Sequence, residues 1–350
     1  MIKKLLIANR GEIALRVIRA CRELNIKTVS VFSEADELSL HSKFSDETVC
    51  IGPAMSSKSY LNIPSIISAA ELTNCDSIHP GYGFLSEDPE FSKICIDNNI
   101  NFIGPPPHTI SLMGNKSKAR ETVESIGVPI IPGSDGIINN INECKDLANE
   151  IGYPVILKAS SGGGGKGMRI VHNETDIEQS FLSAQSEAMA SFNDDSIYLE
   201  KFIEEPRHIE IQILADFEGN TISLGERECS IQRRNQKIIE ESPSAVVNEE
   251  LRSKMADVAI KISKSVNYVG VGTIEFLLDK NNDFYFMEMN TRVQVEHPVT
   301  EMVTSIDIIK AQIKAHDNHT IPDWMAKIKP RGHSIECRIT AEDPYNNFMP

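Results

Sequence analysis

A short apolar run, Lys3-Lys4-Leu5-Leu6-Ile7-Ala8, is followed by a turn at Asn9-Arg10-Gly11. Apolar residues then recur at three-to-four spacing (Ile13, Val17, Cys21, Leu24), and a second run, Thr28-Val29-Ser30-Val31-Phe32, closes the pattern. The runs read as buried strands and the middle as a helix with one apolar face. Residues 3–32 thus form one βαβ unit. A helical crossover returns the chain to the same end of a sheet, so its strands must be parallel. The alternation continues through 47–51, 60–72, 76–79, 90–98 and 101–103, until Pro105-Pro106-Pro107 interrupts it. The expected fold class is α/β, with a doubly wound parallel sheet at the N-terminus. Its first turn holds a single glycine. A dinucleotide fingerprint needs three, so no nicotinamide site is expected there.

Beyond residue 115 the texture changes. Helices are expected near 116–126, 140–151 and 249–266. The segments RHIEIQIL (207–214) and NTISLGE (220–226) alternate apolar and polar residues, as half-exposed antiparallel strands do. Thirty-five basic against fifty acidic residues give a formal net charge of −15. The summed field repels polyanions, which excludes a nucleic-acid or anionic-membrane surface and leaves only local pockets for small anions. Seven cysteines, never spaced C-x-x-C, suit reduced thiols and a cytoplasmic setting. The leading apolar run is too short for a signal peptide, and none approaches the roughly 18 residues of a membrane span. His316 and His319, in the polar stretch AHDNHT, read as a solvated loop and not as metal ligands.

Three motifs carry chemistry. The run KASSGGGGKGMRI (158–170) satisfies GxGxxG formally, but Met168 to Val171 reads as a strand where a dinucleotide loop requires a helix. A glycine-rich hairpin tip remains, whose backbone N–H groups can close over phosphates beside Lys158 and Lys166. Next, GTIEFLLD (272–279) and DFYFMEMN (283–290) read as a hairpin with Lys280 to Asp283 as its loop. Asp279 then faces Phe284 and Glu275 faces Glu288, with Asn290 on the same side. Two carboxylates about 5 Å apart repel by roughly 3 kcal/mol at an effective dielectric of about 20. A divalent cation, Mg²⁺ or Mn²⁺, removes that cost and can also ligate phosphates. Finally, Glu288, Asn290, Arg292, Gln294 and Glu296 are all even-numbered, so an extended strand would align all five on one side. Arg292 could hold an oxyanion in its fork, with Glu296 spaced to take a proton from it.

These segments, with NRGEIALR, DETVCIGP, SYLNIP, HPGYGFLSE, EMNTRVQVEHPVTE and RGHSIECRI, resemble the biotin carboxylase family, the ATP-grasp subunit of bacterial acetyl-CoA carboxylase, along the whole of residues 1–350. The homologous parts of pyruvate, propionyl-CoA and urea carboxylases share them. The resemblance implies an α/β domain over 1–114, an ATP-grasp domain over 115–330 with a mobile lid at about 131–203, and a truncated start of the C-terminal domain over 331–350. It implies that ATP phosphorylates bicarbonate to carboxyphosphate, which carboxylates biotin on a carrier protein. That is the first half-reaction toward malonyl-CoA and fatty acids. The implied cofactors are ATP and Mg²⁺ or Mn²⁺. The implied partners are a biotin carboxyl carrier protein, carboxyltransferase subunits and, at full length, a second copy of the chain.

By position, Lys116 and Lys158 would hold ATP phosphates under a lid containing Gly164 and Gly165. Glu200, Lys201, Phe202 and Ile203 would line the adenine pocket, with His208 near the ribose and Asn235 as a further ATP contact, although the bacterial pattern carries histidine there. Lys237 would approach the transferred phosphoryl group. Glu275, Glu288 and Asn290 would be the metal ligands. Arg292, Gln294 and Val295 would bind bicarbonate, Glu296 would deprotonate it, and Arg338 would stabilise the biotin enolate with Tyr82 nearby. The alternatives are a biotin carboxylase part of another acyl-CoA or pyruvate carboxylase, a carbamoyl-phosphate synthetase half, and a truncated nucleotide-binding fragment without turnover.

Overall fold

A computed structural model describes residues 1–159, 168–192, 194–233 and 236–349. The chain divides into two compact units. One is Met1–Val128 with Arg207–Phe276 and Glu288–Pro350, the other Pro129–Pro206 with Leu277–Met287.

The first unit opens with a parallel sheet of β1 (Lys4–Ile7), β2 (Lys27–Ser33), β3 (Glu47–Gly52), β4 (Ser77–His79) and β5 (Asn101–Phe102), in the order β3-β2-β1-β4-β5. Reversal of strand order about β1 is the doubly wound arrangement, and the packing shows why it forms. Leu5 and Ile7 join one apolar cluster with Ile13 and Val17 of the helix Gly11–Glu23. Leu6 and Ala8 point the other way, into a cluster with Ile66 and Phe91 of the helices Ile63–Leu72 and Pro89–Asp97. Both faces of β1 are covered, as its unbroken apolar run requires.

In the second unit, β6 (Val155–Ala159), β7 (Met168–Val171) and β8 (Ile197–Lys201) form an antiparallel sheet in the order β7-β6-β8. Lys158 pairs with Met168, so β6 and β7 flank the glycine run as antiparallel neighbours and not as a strand leading into a helix. The helices Ile141–Ile151 and Ile177–Phe192 pack on this sheet through Cys144, Ala148, Phe181 and Ala184.

A six-stranded sheet carries the chemistry. Its strands are β9 (Arg207–Ala215), β10 (Thr221–Arg233), β11 (Gln236–Ser242), β12 (Gly270–Leu278), β13 (Phe284–Asn290) and β14 (Ser334–Cys337), in the order β13-β12-β9-β10-β11-β14. Three expectations are corrected here. First, β9 is not half exposed: all its residues after Arg207 are buried, Glu210 and Gln212 included. Second, the β12–β13 turn closes one residue early. Asp279 N–H donates to Asp283 O (2.9 Å), Asn282 N–H donates to Asp279 O (3.2 Å), and Asn282 takes φ 68°. The loop is therefore three residues, Lys280 to Asn282, and Asp279 faces Asp283 instead of Phe284. Third, the ladder stops at Asn290; residues 291–296 form a loop into the helix His297–Thr304.

His316 is a further correction. It ends the helix Ile308–His316 and is buried, its ring nitrogens 3.0 Å from the carbonyl oxygens of Gln312 and Gly104.

Candidate active site

The buried polar face of β9 and β10 is built around Arg227. Arg227 lies directly opposite Glu210 in the β9–β10 register and is wholly inaccessible to solvent. All five guanidinium donors are used. Nε donates to Glu210 Oε1 (2.5 Å), Nη1 to Gln212 Oε1 (2.6 Å) and Thr300 Oγ1 (3.0 Å), and Nη2 to Thr273 Oγ1 (3.1 Å) and Gln294 Oε1 (2.9 Å). Burial opposes the charge of Glu210, yet Arg227 and Lys237 outweigh it and hold the carboxyl below its usual range.

Lys237 on β11 is the second centre. Its ammonium donates to Glu210 Oε2 (2.5 Å), Glu275 Oε1 (2.8 Å) and Glu296 Oε1 (2.7 Å), one carboxylate for each proton. Burial alone would lower its pKa, but those three charges raise it above the ordinary lysine value. Glu275 is also held by Asn290 Nδ2 (2.9 Å) and Gln294 Nε2 (2.8 Å). His208 Nε2 stands 2.8 Å from Glu275 Oε2, a contact that is an ion pair when the imidazole is protonated. Gln232 Nε2 lies 3.0 Å from His208 Nδ1 and spends another N–H on Cys229 O (2.8 Å). Burial works against the imidazolium, but Glu275 and Glu210 raise the His208 pKa. Against the same burial, His208 and Lys237 depress the Glu275 pKa strongly.

Arg292 and Glu296 end in different neighbourhoods. Arg292 donates through Nε to Glu87 Oε2 (2.8 Å) and through Nη2 to Asn290 Oδ1 (2.9 Å). Glu87 also accepts from Thr291 N–H (3.1 Å). Glu296 Oε2 accepts from Arg338 Nη2 (2.9 Å), while Arg338 Nε donates to Glu240 Oε1 (2.6 Å). The even-numbered row does not line one side of a strand as expected: a loop carries Arg292, Gln294 and Glu296, and only part of the row converges. Asn290 and Gln294 meet on Glu275, and Glu296 meets Lys237. Gln294 is spent at both ends of its amide, between Arg227 and Glu275. Val295 is half-buried beside it. The Tyr82 hydroxyl donates to Glu12, and no hydrogen bond joins it to the Arg338 group. Lys116 opens the helix Lys116–Ser125, exposed to solvent, where its charge counteracts the upward shift of the Glu288 pKa.

In the other unit, Lys158 donates to the buried carboxylate of Glu200. Lys201 Nζ donates to the carbonyls of Gly152 (2.8 Å) and Tyr153 (3.0 Å), and Phe202 and Ile203 are half-buried. Gly164, Gly165 and Asn235 lie outside the described residues.

The donor set fits a divalent cation. Glu288 has no hydrogen-bond partner among the described residues, and burial together with the charge of Glu275 raises its pKa. A desolvated carboxylate held in the field of a second is what a bound cation neutralises.

Sequence reasoning missed Glu210, Arg227, Glu240 and Glu87. The polar positions of RHIEIQIL and the acid at the end of HPGYGFLSE were the available signals. Strand period says which residues share a side and not whether water or other side chains cover it.

Known proteins share the sequence and fold of this chain. Residues 1–110 match the model for the biotin carboxylase N-terminal domain, and 115–323 match that for the carbamoyl-phosphate synthase L chain ATP binding domain. Biotin carboxylase 1 of Bacillus subtilis is 56% identical over 351 residues, covering 100% of this chain and 78% of the relative. The crystal structure of a biotin carboxylase–β,γ-ATP complex from Campylobacter jejuni superposes with a TM-score of 0.89 at 55% identity, covering 100% of this chain and 78% of that one. The biotin carboxylase domain of a thermophilic 2-oxoglutarate carboxylase, bound to ADP without magnesium and with a disordered phosphate tail, gives 0.90 at 48% identity, covering 100% and 77%.

A doubly wound α/β region joined to an antiparallel sheet with carboxylates gathered on a lysine defines an ADP-forming ligase of the ATP-grasp class. Within that class, the chain belongs to the biotin carboxylase family, whose reaction is the ATP-dependent carboxylation of biotin. Among the described residues no helix is long and apolar enough to cross a membrane.

Proposed function

We propose that this chain carboxylates carrier-bound biotin as the first half-reaction of acetyl-CoA carboxylase in the cytoplasm, feeding malonyl-CoA and fatty acid synthesis. The observation that carries the reading is the position of Glu296, whose two oxygens are shared between Lys237 and Arg338. One carboxylate thus joins a cation suited to a phosphoryl group to a guanidinium suited to an enolate oxygen. Glu296 takes the bicarbonate proton, and Arg292, Gln294 and Val295 orient the anion. Lys237 meets the transferred phosphoryl group, and Arg338 faces the ureido oxygen of biotin with Tyr82 in support. Positioning and charge neutralisation are what phosphoryl transfer needs most.

ATP is assigned to Lys116, Lys158, Gly164, Gly165, Glu200, Lys201, Phe202, Ile203, His208 and Asn235. Glu275, Glu288 and Asn290 would hold Mg²⁺ or Mn²⁺, which neutralises phosphate charge when bound. The disordered phosphate tail of the magnesium-free relative supports that division of labour. We assign the catalytic ATP-grasp domain to 115–330, with 131–203 as the lid that keeps water from carboxyphosphate. The partners are a carrier protein, carboxyltransferase subunits and, at full length, a second copy of the chain.

Bicarbonate-dependent release of ADP, measured with and without free biotin, tests the reaction. Stimulation by biotin is expected, and nucleotide binding without turnover would overturn it. The relative from 2-oxoglutarate carboxylase shows that the same module serves other acceptors. Transfer from carboxylated carrier to acetyl-CoA, and not to another acyl acceptor, therefore tests the acetyl-CoA assignment separately.

A further inference from the structure

Glu240 lies on β11, wholly buried, and its Oε1 accepts the Nε–H of Arg338 at 2.6 Å. Its other oxygen is equally buried and has no hydrogen-bond partner among the described residues. Directly across the β11–β14 pair stands Glu336, a second acid on the same side. Burial raises the Glu240 pKa, the charge of Glu296 adds to the rise, and Arg338 opposes both. A buried carboxylate with an idle oxygen, facing other acids, costs the fold stability. Among the described residues, the hydrogen bond that its side chain accepts comes from Arg338.

Arginine offers two hydrogen-bonding edges. The side edge of Arg338, Nε and one Nη2 proton, is taken by Glu240 and Glu296. Nη1 donates to nothing among the described residues, and the side chain retains 28% of its exposure. The end edge of the fork is therefore left available at a fixed angle.

We propose that Glu240 is a positioning residue: by gripping Nε it locks the Arg338 guanidinium with its end edge presented to the oxygen of the incoming biotin. The proposal rests on the reading of Arg338 given above. Without Glu240 the guanidinium can still pair with Glu296 but is free to swing about that contact.

The test uses the purified chain with Glu240→Leu, which removes the acceptor at similar volume, and Glu240→Gln, whose amide oxygen can still accept from Nε. In Glu240→Leu the ratio of biotin-dependent to biotin-independent ATP cleavage falls at least tenfold, with no drop in melting temperature. Glu240→Gln recovers most of that ratio. In an Arg338→Gln background, Glu240→Leu has no further effect. Parallel loss of both activities with a lower melting temperature, or multiplicative losses in the double variant, overturns the proposal in favour of a structural role. A readout independent of turnover is the arginine Nε–H spectrum of ¹⁵N-labelled protein. The resonance that Arg338→Gln deletes is protected from exchange, and Glu240→Leu abolishes that protection; protection that survives overturns the proposal. Absence of biotin stimulation in the unaltered chain refutes the assigned reaction instead, and the spectrum then decides Glu240 alone.

Discussion

Lys237 carries one charge against three carboxylates, and the consequence of removing it has a definite sign. In the unaltered chain Glu210 and Glu275 ionise below their usual range, mainly because Arg227, Lys237 and His208 outweigh burial. Such groups contribute stability that is present above the unfolded carboxyl pKa and is lost as pH falls through the folded values. Lys237→Met leaves Glu210, Glu275 and Glu296 crowded with one cation fewer, so the depression of the Glu210 and Glu275 pKa values is weakened. The variant should therefore lose part of the stability that the parent gains as pH rises through the carboxyl range, so its stability climbs less steeply with pH. At neutral pH the loss should be about 3–5 kcal/mol, the cost of breaking a buried ionic group from one side. Urea unfolding across the acid range checks it, and a variant whose stability climbs as steeply with pH as the parent's would sink the account. Lys237 was readable in sequence only through its family motif. Nothing local to it reveals the carboxylates that it gathers from β9, β12 and the loop before His297.

At the level of elements, what could be read depended on whether period or environment decided the outcome. The unbroken apolar run of β1 and the helix beginning at Gly11 both follow from period, and both form. The polar side of β9 has the same alternation as a solvated strand, yet it packs on Arg227, which lies opposite it on β10. The β12–β13 register failed for a related reason. Asn282 adopts the left-handed conformation and tightens the turn, and counting cannot detect that. Asn290 nevertheless reaches Glu275, its Nδ2 donating to Oε1 at 2.9 Å. At the start of β12, Gly270 has φ +94°, and a Cβ there would stand 2.8 Å from His316 Cε1. Gly270→Ala should cost about 1–3 kcal/mol in thermal unfolding. Adding His316→Ala should leave the backbone part of that cost in place; full recovery by the second substitution would contradict the assignment. Across the β11–β14 pair, burial and then Glu240 and Glu296 push Glu336 up to about 7. The folded chain therefore keeps a proton that the unfolded chain has released, and stability declines between the unfolded carboxyl pKa and about pH 7. Glu336→Gln should flatten that decline in melting curves collected across the interval, and an unchanged slope would refute the shift.

For the molecule as a whole the electrostatic problem is to bind a polyanion on a chain with a net charge of −15. The gathered side chains of the six-stranded sheet do not solve it alone. Glu210, Glu275, Glu288 and Glu296 stand against the permanent cations Lys237, Arg227 and Arg338, and every donor of the first two is already paired. A triphosphate brought to this group meets net negative charge unless a divalent cation accompanies it, because repulsion among desolvated charges is strong. ATP with Mg²⁺ at a hundred times its Kd should then stabilise the fold by about 2.7 kcal/mol through linkage. ATP with a chelator at the same concentration should give a small fraction of that. Glu288→Gln should remove most of the cation-dependent increment, because this half-buried carboxylate, in the field of Glu275, is the one the cation would neutralise. Lys158→Ala should instead weaken nucleotide binding with or without the metal, since the contact assigned to it is with phosphate itself. Thermal shift titrations in all four combinations separate these effects. Equal stabilisation by ATP in the presence of chelator would mean that the acidic group does not govern nucleotide binding.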